Sequence, residues 1–288
     1  MKNRFLVAML CVTMGFSAQA KNTVLVSIQP YYTIVKNIVG NQMDVVLLLP
    51  PGASPHTFDP KPSDLKKMAL AKLAFMNGLG LDDWLSSGLI NSGSHAKVVR
   101  FGDQLKYTPL QSLEEDLPGR DPHIWLDASI MGKAALSVGN ALAKLDPQNA
   151  KVYQSRALLE SQKLEVLHKD LQKTLAPMKN HRMVTFHGAW GYFARAYGLN
   201  VVAAIEPFPG KEPSAQYLRD ISKTVKKYNI SALFAEPTLP KAPIEALADS
   251  LGVKVYTLIP EGSAEIQDYH QMMQYNKTVL IKAFKNTP

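Results

Sequence analysis

The sequence contains almost no cysteine. The single thiol among the 288 residues is Cys11, within the first 20 positions. If those positions are removed on export, the remaining chain has no thiol and no disulfide. Any metal must then be held by histidine or carboxylate side chains. Lipid attachment at Cys11 is the alternative, but the bulky Leu10 before it is untypical of a lipoprotein cleavage site.

Long apolar runs and clustered positive charge are lacking as well. A membrane-spanning helix needs about 18 to 20 successive apolar residues, and no stretch of the chain is that long. The net charge is +8, yet the lysines are spread along the chain without the interleaved aromatic residues of a nucleic-acid groove. We therefore expect neither nucleic-acid binding nor insertion into a membrane.

The first 20 residues have the pattern of a signal peptide. Lys2 and Arg4 form a basic start, residues 5–16 are mostly apolar, and Ala18-Gln19-Ala20 provides a small-residue cleavage site. We expect residues 1–20 to be removed and the protein to be periplasmic.

The rest of the chain alternates between strand and helix patterns. Short β-branched, apolar runs such as 23–28, 45–49 and 73–76 end at turn residues and are followed by helical segments. This alternation predicts parallel sheets with helices on their faces. The stretch 147–175 is different, because it has no internal glycine or proline after Pro147 and predicts one helix of about 28 residues.

The predicted fold is therefore α/β with two lobes, each a mainly parallel sheet flanked by helices, joined by one long backbone helix. We assign residues 21–146 to an N-terminal lobe, 147–176 to the linker helix and 177–288 to a C-terminal lobe. A single helix as the connection predicts little rotation of one lobe against the other, because it offers no glycine or proline at which to kink.

Three of the seven histidines stand out by their position. His56 and His187 follow predicted strands of opposite lobes, and His123 lies in Asp121-Pro122-His123-Ile124-Trp125. We expect all three at strand ends, where open α/β sheets bind ligands. Neutral imidazoles suit Zn²⁺, and three of them with a fourth ligand form a common zinc site. We expect His95, His168, His181 and His270 to be surface residues.

Several segments together resemble the zinc and manganese solute-binding proteins of ABC transporters, in the same order and over nearly the whole chain. Those that carry the resemblance are 55–64 (PHTFDPKPSD), 77–81 (NGLGL), 121–127 (DPHIWLD), 187–199 (HGAWGYFARAYGL), 212–214 (EPS) and 234–237 (FAEP).

The resemblance implies a function and a site. It implies capture of Zn²⁺ in the cleft between two lobes and delivery to an ABC permease with its ATPase at the inner membrane, and we expect the protein to act as a monomer. The family's first three ligand positions fall on His56, His123 and His187. A histidine at the third position favours zinc over manganese, since manganese-type members tend to carry glutamate there. A manganese- or iron-specific protein of the same type is the alternative.

Two departures from the family pattern concern the loops. The His-rich acidic loop of many zinc members is replaced by a short stretch, 101–120, without histidine. Near the last strand the family usually offers an aspartate, whereas this chain has Leu258-Ile259-Pro260-Glu261-Gly262. We take Glu261 as the fourth ligand, with water or Glu236 as alternatives. Glu236 could equally serve structural hydrogen bonding, because it follows an apolar strand.

Two other classes of protein would share these residues. A secreted zinc hydrolase or lyase also uses three histidines and a bound water, but the chain has neither a His-Glu-x-x-His helix nor a Gly-x-Ser-x-Gly turn. An extracellular adhesin would share the fold. We expect a binding protein and not an enzyme.

Overall fold

The computed structural model describes residues 21–113, 119–206, 208 and 210–285. The predicted signal peptide lies outside these residues. Within them, no helix has both the length and the apolar character needed to cross a membrane.

The N-terminal lobe is a four-stranded parallel sheet in the order β2-β1-β3-β4. Its elements are β1 (Thr23–Val26), α1 (Gln29–Val39), β2 (Asp44–Leu47), α2 (Pro62–Leu70), β3 (Ala71–Met76), α3 (Asp83–Asn91), β4 (Lys97–Arg100) and α4 (Phe101–Gln104). Parallel strands covered by helices on both faces read as continuous apolar runs, which is the reason for the largely buried sequence of β3, Ala-Lys-Leu-Ala-Phe-Met.

One long helix, α6 (Ala150–Leu175), connects the lobes, and α5 (Ala128–Leu145) packs against it. The predicted linker helix is present, but it begins three residues later than expected, because 147–149 form a separate 3₁₀ turn. Asp146 organises this turn, since its carboxylate accepts hydrogen bonds from the Asn149 amide at 2.8 Å and the Tyr153 hydroxyl at 2.7 Å.

The C-terminal lobe repeats the topology of the first. Its parallel sheet has the order β6-β5-β7-β8. The elements are β5 (Arg182–Thr185), α7 (Gly191–Tyr197), β6 (Asn200–Ala204), α8 (Ala215–Lys227), β7 (Ala232–Ala235), α9 (Ala242–Leu251), β8 (Lys254–Thr257) and α10 (Tyr269–Lys285). The predicted fold class, two α/β lobes joined by a long helix, is confirmed.

The hydrophobic core is continuous between the lobes. One cluster of buried side chains includes strand residues of the first sheet such as Val24, the α6 residues Leu164 and Leu171, and α10 residues such as Met273. Because α6 buries one face between the lobes along most of its length, the lobes share a core as well as a connection.

Candidate metal centre

The structure brings together the three predicted histidines. Their ligand nitrogens all lie within 4.8 Å of one another. The Nε2 atom of His123 lies 3.2 Å from that of His56 and 3.4 Å from that of His187. Zinc–nitrogen bonds of about 2.0–2.1 Å in a tetrahedral site would place ligand nitrogens about 3.3–3.4 Å apart. The two distances from the His123 nitrogen therefore match the nitrogen spacing around a tetrahedral zinc ion.

Each histidine comes from a different part of the fold. His56 lies in the loop between β2 and α2, and His187 follows β5 by two residues. The expectation that all three lie at strand ends was wrong for His123, which begins the 3₁₀ turn 124–126 in front of α5. Pro122 explains the difference, because a proline has no backbone N–H to donate to a strand ladder.

Two buried carboxylates fix the orientation of two of the rings. Asp121 Oδ1 lies 2.8 Å from Nδ1 of His123 and also accepts the His123 backbone N–H at 2.9 Å. Glu236 Oε2 lies 2.8 Å from Nδ1 of His187. A carboxylate on this side assigns the ring proton to Nδ1 and leaves the Nε2 lone pair for a metal.

Sheet order explains why Glu236 meets His187. Glu236 follows β7, His187 follows β5, and these two strands are neighbours in the sheet. The chain passes from β5 to β6 on one side of β5 and then returns to β7 on the other side. Ligands of open α/β sheets bind at such a point, where the strand order reverses. Glu236 also accepts the indole N–H of Trp190 at 3.3 Å. Glu236 thus contacts the rings of both His187 and Trp190.

The contact between Asp121 and the C-terminal lobe depends on a glycine. A Cβ atom at Gly191 would come within 2.6 Å of Asp121 Oδ2. A side chain at the first residue of α7 would therefore require Asp121 to shift from its position beside His123.

Burial sets the protonation of the cluster. It lowers the pKa of the His56 and His123 side chains well below the ordinary value, and the neighbouring imidazoles act in the same direction. Burial also raises the pKa of Asp121 to about 7, although the hydrogen bond from the His123 backbone N–H lowers it. His56 and His123 are consequently neutral at pH 7, which is the form that binds metals.

Glu261 lies close by but outside the three-nitrogen group. Neither its carboxylate nor that of Glu236 belongs to the set of atoms within 4.8 Å of one another. Burial raises the pKa of Glu261 to about 8; the His187 ring opposes this shift, and Glu236 adds to it. A small cavity of about 20 Å³ lies beside it, lined by 49–53 and 261–263 among others.

Some residues around the site were not foreseen from the sequence. The role of Asp121 was missed, although its position two residues before a candidate ligand in Asp-Pro-His was a usable signal. The surface expectation was wrong for His168, whose side chain is only 14% exposed and lies 3.5 Å from Asp127. It faces α5 because the buried stripe of α6 passes beside it at Leu164, Leu167 and Leu171.

Comparison with known proteins gives consistent matches. The family model described as "Zinc-uptake complex component A periplasmic" matches residues 24–283. Zinc-binding protein AdcA of Streptococcus pyogenes is 28% identical over 97% of this chain and 61% of its own length. The chain thus spans about three fifths of that relative. Manganese-binding lipoprotein MntA of Halalkalibacterium halodurans is 30% identical over 84% of this chain and 82% of its own.

The fold is shared with a solved relative. A crystal structure of ZnuA superposes with a TM-score of 0.82 and 30% identity, covering 91% of this chain and 99% of the other. The family match extends over nearly all described residues and includes all three histidines. The chain therefore belongs to the family of the periplasmic component A of zinc-uptake complexes.

Proposed function

We propose that this protein is the periplasmic substrate-binding component of an ABC importer. It captures Zn²⁺ between its lobes and delivers the ion to a membrane permease driven by an ATPase, acting as a monomer. The observation that carries the proposal is the group of three Nε2 atoms, spaced 3.2 and 3.4 Å from the central one. The name of the zinc-binding relative AdcA and the description of the matching family as a zinc-uptake component support zinc as the cargo.

Manganese is the second candidate cargo. It is favoured by one observation, the 30% identity to a relative named for manganese binding. Imidazole is the ligand of choice for zinc, whereas manganese prefers carboxylate, carbonyl and water oxygens. The three nitrogens therefore favour zinc in direct competition.

Glu261 is our proposed fourth ligand. Its carboxylate interacts electrostatically with His187 without belonging to the three-nitrogen group. A rotation of the carboxylate toward the nitrogens would bring it onto a bound cation and complete four-coordination. Glu236 is already engaged by the His187 and Trp190 rings, which leaves Glu261 as the better candidate.

Metal competition tests the cargo. Protein stripped with a chelator is titrated with Zn²⁺ and Mn²⁺, alone and against each other, alongside His187→Gln and the matched control His95→Gln at an exposed site. We expect one zinc per chain, displacement of manganese by zinc, and loss of tight binding in His187→Gln only. Failure of the wild-type chain to bind zinc, or equal losses in both variants, would refute the proposal.

A pair of glutamate variants tests the fourth ligand. We expect Glu261→Gln to weaken zinc binding by more than the ~10- to 100-fold that loss of an outer-shell partner costs. Glu236→Gln should cost less, because the glutamine oxygen can still accept the His187 Nδ1 proton. The reverse order of the two losses would assign the fourth position to Glu236.

Binding without catalysis follows from the same geometry. A zinc hydrolase needs a water on the metal and a base beside it. In our proposal Glu261 occupies the fourth position and Asp121 and Glu236 are held by ring nitrogens. Zinc-dependent turnover of an activated ester by the wild-type protein would contradict this part.

A further inference from the structure

Three of the four proposed ligands are preceded by proline. The dipeptides are Pro55-His56, Pro122-His123 and Pro260-Glu261. Proline fixes φ and has no N–H, so the carbonyl oxygen is the only backbone hydrogen-bonding group of the residue before each ligand. The peptide plane that contains this carbonyl also contains the nitrogen of the ligand residue. A hydrogen bond to this oxygen therefore fixes the orientation of the peptide plane, and with it the backbone from which the ligand side chain extends.

All three proline carbonyls accept a side-chain N–H from a distant part of the chain. Trp84 Nε1 donates to the Pro55 oxygen at 3.1 Å. Asn77 Nδ2 donates to the Pro122 oxygen at 2.9 Å, and this oxygen also accepts the Ile124 backbone N–H at 2.8 Å. Trp125 Nε1 donates to the Pro260 oxygen at 2.7 Å. The same construction thus occurs in front of two histidines and of Glu261.

The Asn77 donor is itself held in place. Asn77 is fully buried, its Oδ1 accepts the Tyr31 hydroxyl at 2.7 Å, and its backbone N–H donates to Asp82 at 2.7 Å. Its side chain cannot turn away without leaving buried polar groups unpaired, which is costly.

The Trp125 donor connects the lobes. Its ring is fully buried and packs edge-on against the His123 ring, with centroids 5.2 Å apart. Its carbonyl accepts the hydroxyl of Tyr269, at the start of α10, at 2.6 Å. The segment that carries His123 in one lobe is thereby bonded directly to the loop that carries Glu261 in the other.

We infer that Trp84, Asn77 and Trp125 are positioning residues that hold the ligand-bearing peptides through the carbonyl of the preceding proline. This inference rests on the proposed function. Without the hydrogen bonds the ligands would have to be ordered on binding, at a cost in affinity. Trp125 in addition sets the distance between His123 and Glu261 across the lobe boundary. A purely structural role would affect folding but leave the geometry around a bound metal unchanged.

The test uses phenylalanine variants that remove an indole N–H and keep an aromatic ring. Trp125→Phe and Trp84→Phe are compared with wild type and with the control Tyr107→Phe. The control removes a side-chain bond to a backbone carbonyl, from the Tyr107 hydroxyl to Gly102 at 2.7 Å, in the loop after α4. Zinc Kd is measured by competition, and the visible absorption of the Co²⁺-substituted protein reports coordination geometry.

We expect both tryptophan variants to raise the zinc Kd about tenfold or more and to shift the Co²⁺ bands, while Tyr107→Phe leaves both unchanged. Should Trp125→Phe fail to fold, the half-buried Trp84 site gives the same test. A folded tryptophan variant with the wild-type zinc Kd and Co²⁺ spectrum would overturn this inference but not the proposed function. A wild-type protein that binds neither ion would overturn the proposed function and the inference with it.

Discussion

At the scale of single residues, two buried carboxylates that we do not propose as ligands lie against the Nδ1 atoms of two proposed ligand rings. Asp121 receives both the ring and the backbone N–H of His123. We predict that Asp121→Ala weakens zinc binding by about 10- to 100-fold, because the ring loses its fixed orientation and tautomer. Asp103→Ala, which removes an exposed carboxylate paired with Arg120, should leave the zinc Kd unchanged in the same competition assay.

Proton release on binding should identify the group that titrates. The pKa of Glu261 is raised to about 8 by burial, so its carboxyl is mostly protonated at pH 7. A bound cation favours the carboxylate, and the proton must leave. His56 and His123 release none, because their lowered pKa values leave them already neutral.

We therefore predict proton release at pH 7 that declines as the pH rises above 8, measured by calorimetry in buffers of different ionisation enthalpy. Glu261→Gln should lower this release, because the variant has no carboxyl proton to lose at this position. Undiminished release in that variant would contradict Glu261 as the fourth ligand.

Position along the chain and family resemblance together predicted the three histidines but not the residues that support them. His56, His123 and His187 could be selected because imidazoles near sheet edges and in family-like segments point to metal binding. The N–H donors in front of the ligands could not, since Trp84 lies 28 residues from His56 and Asn77 lies 45 residues from Pro122. Only the packing of α3 and β3 against the ligand loops brings them together.

At the scale of elements, the close approach of α5 to α6 depends on glycine. A Cβ atom at Gly139 would lie 2.5 Å from the Ala157 Cβ and 3.2 Å from the Tyr153 oxygen, whereas at Gly132 the nearest atom would be 3.4 Å away. Helix propensity predicted α6, whereas no helix was predicted over α5, although its residues other than the two glycines are mostly good helix formers.

Alanine substitutions at these two glycines should have opposite effects. We predict that Gly139→Ala lowers the free energy of unfolding by about 1–3 kcal/mol through overpacking. Gly132→Ala should raise it by up to about 1 kcal/mol, because alanine favours the helix and meets only ordinary contacts. Urea denaturation of the metal-free variants measures both, and equal effects would show that the α5–α6 contact is looser than the structure has it.

At the scale of the whole molecule, the shared core limits how far the lobes can rotate. One hydrophobic cluster runs through both lobes. Two hydrogen bonds cross between them, from the Trp125 indole N–H to the Pro260 oxygen and from the Ala128 backbone N–H to the Tyr197 hydroxyl oxygen. The radius of gyration of a compact chain of this length is about 19 Å. We predict that X-ray scattering of metal-free and zinc-loaded protein differs by less than about 1 Å in this quantity. A larger decrease would indicate hinge closure.

The two-lobe architecture could be predicted because it follows from strand and helix alternation and one long uninterrupted helix. How the lobes meet could not, since it depends on single contacts such as Gly191 with Asp121. Family resemblance supplied the ligand positions that spacing alone does not define, because no two of the histidines share a local metal-binding pattern.

X-ray absorption spectroscopy of the zinc-loaded protein tests the central claim, that three imidazoles and one carboxylate hold the ion between the lobes. We predict a first shell of four nitrogen and oxygen atoms at about 2.0–2.1 Å, with outer-shell scattering from three imidazole rings, and loss of one ring in His187→Gln. Fewer than three rings in the wild-type spectrum, or a six-coordinate oxygen shell, would contradict it.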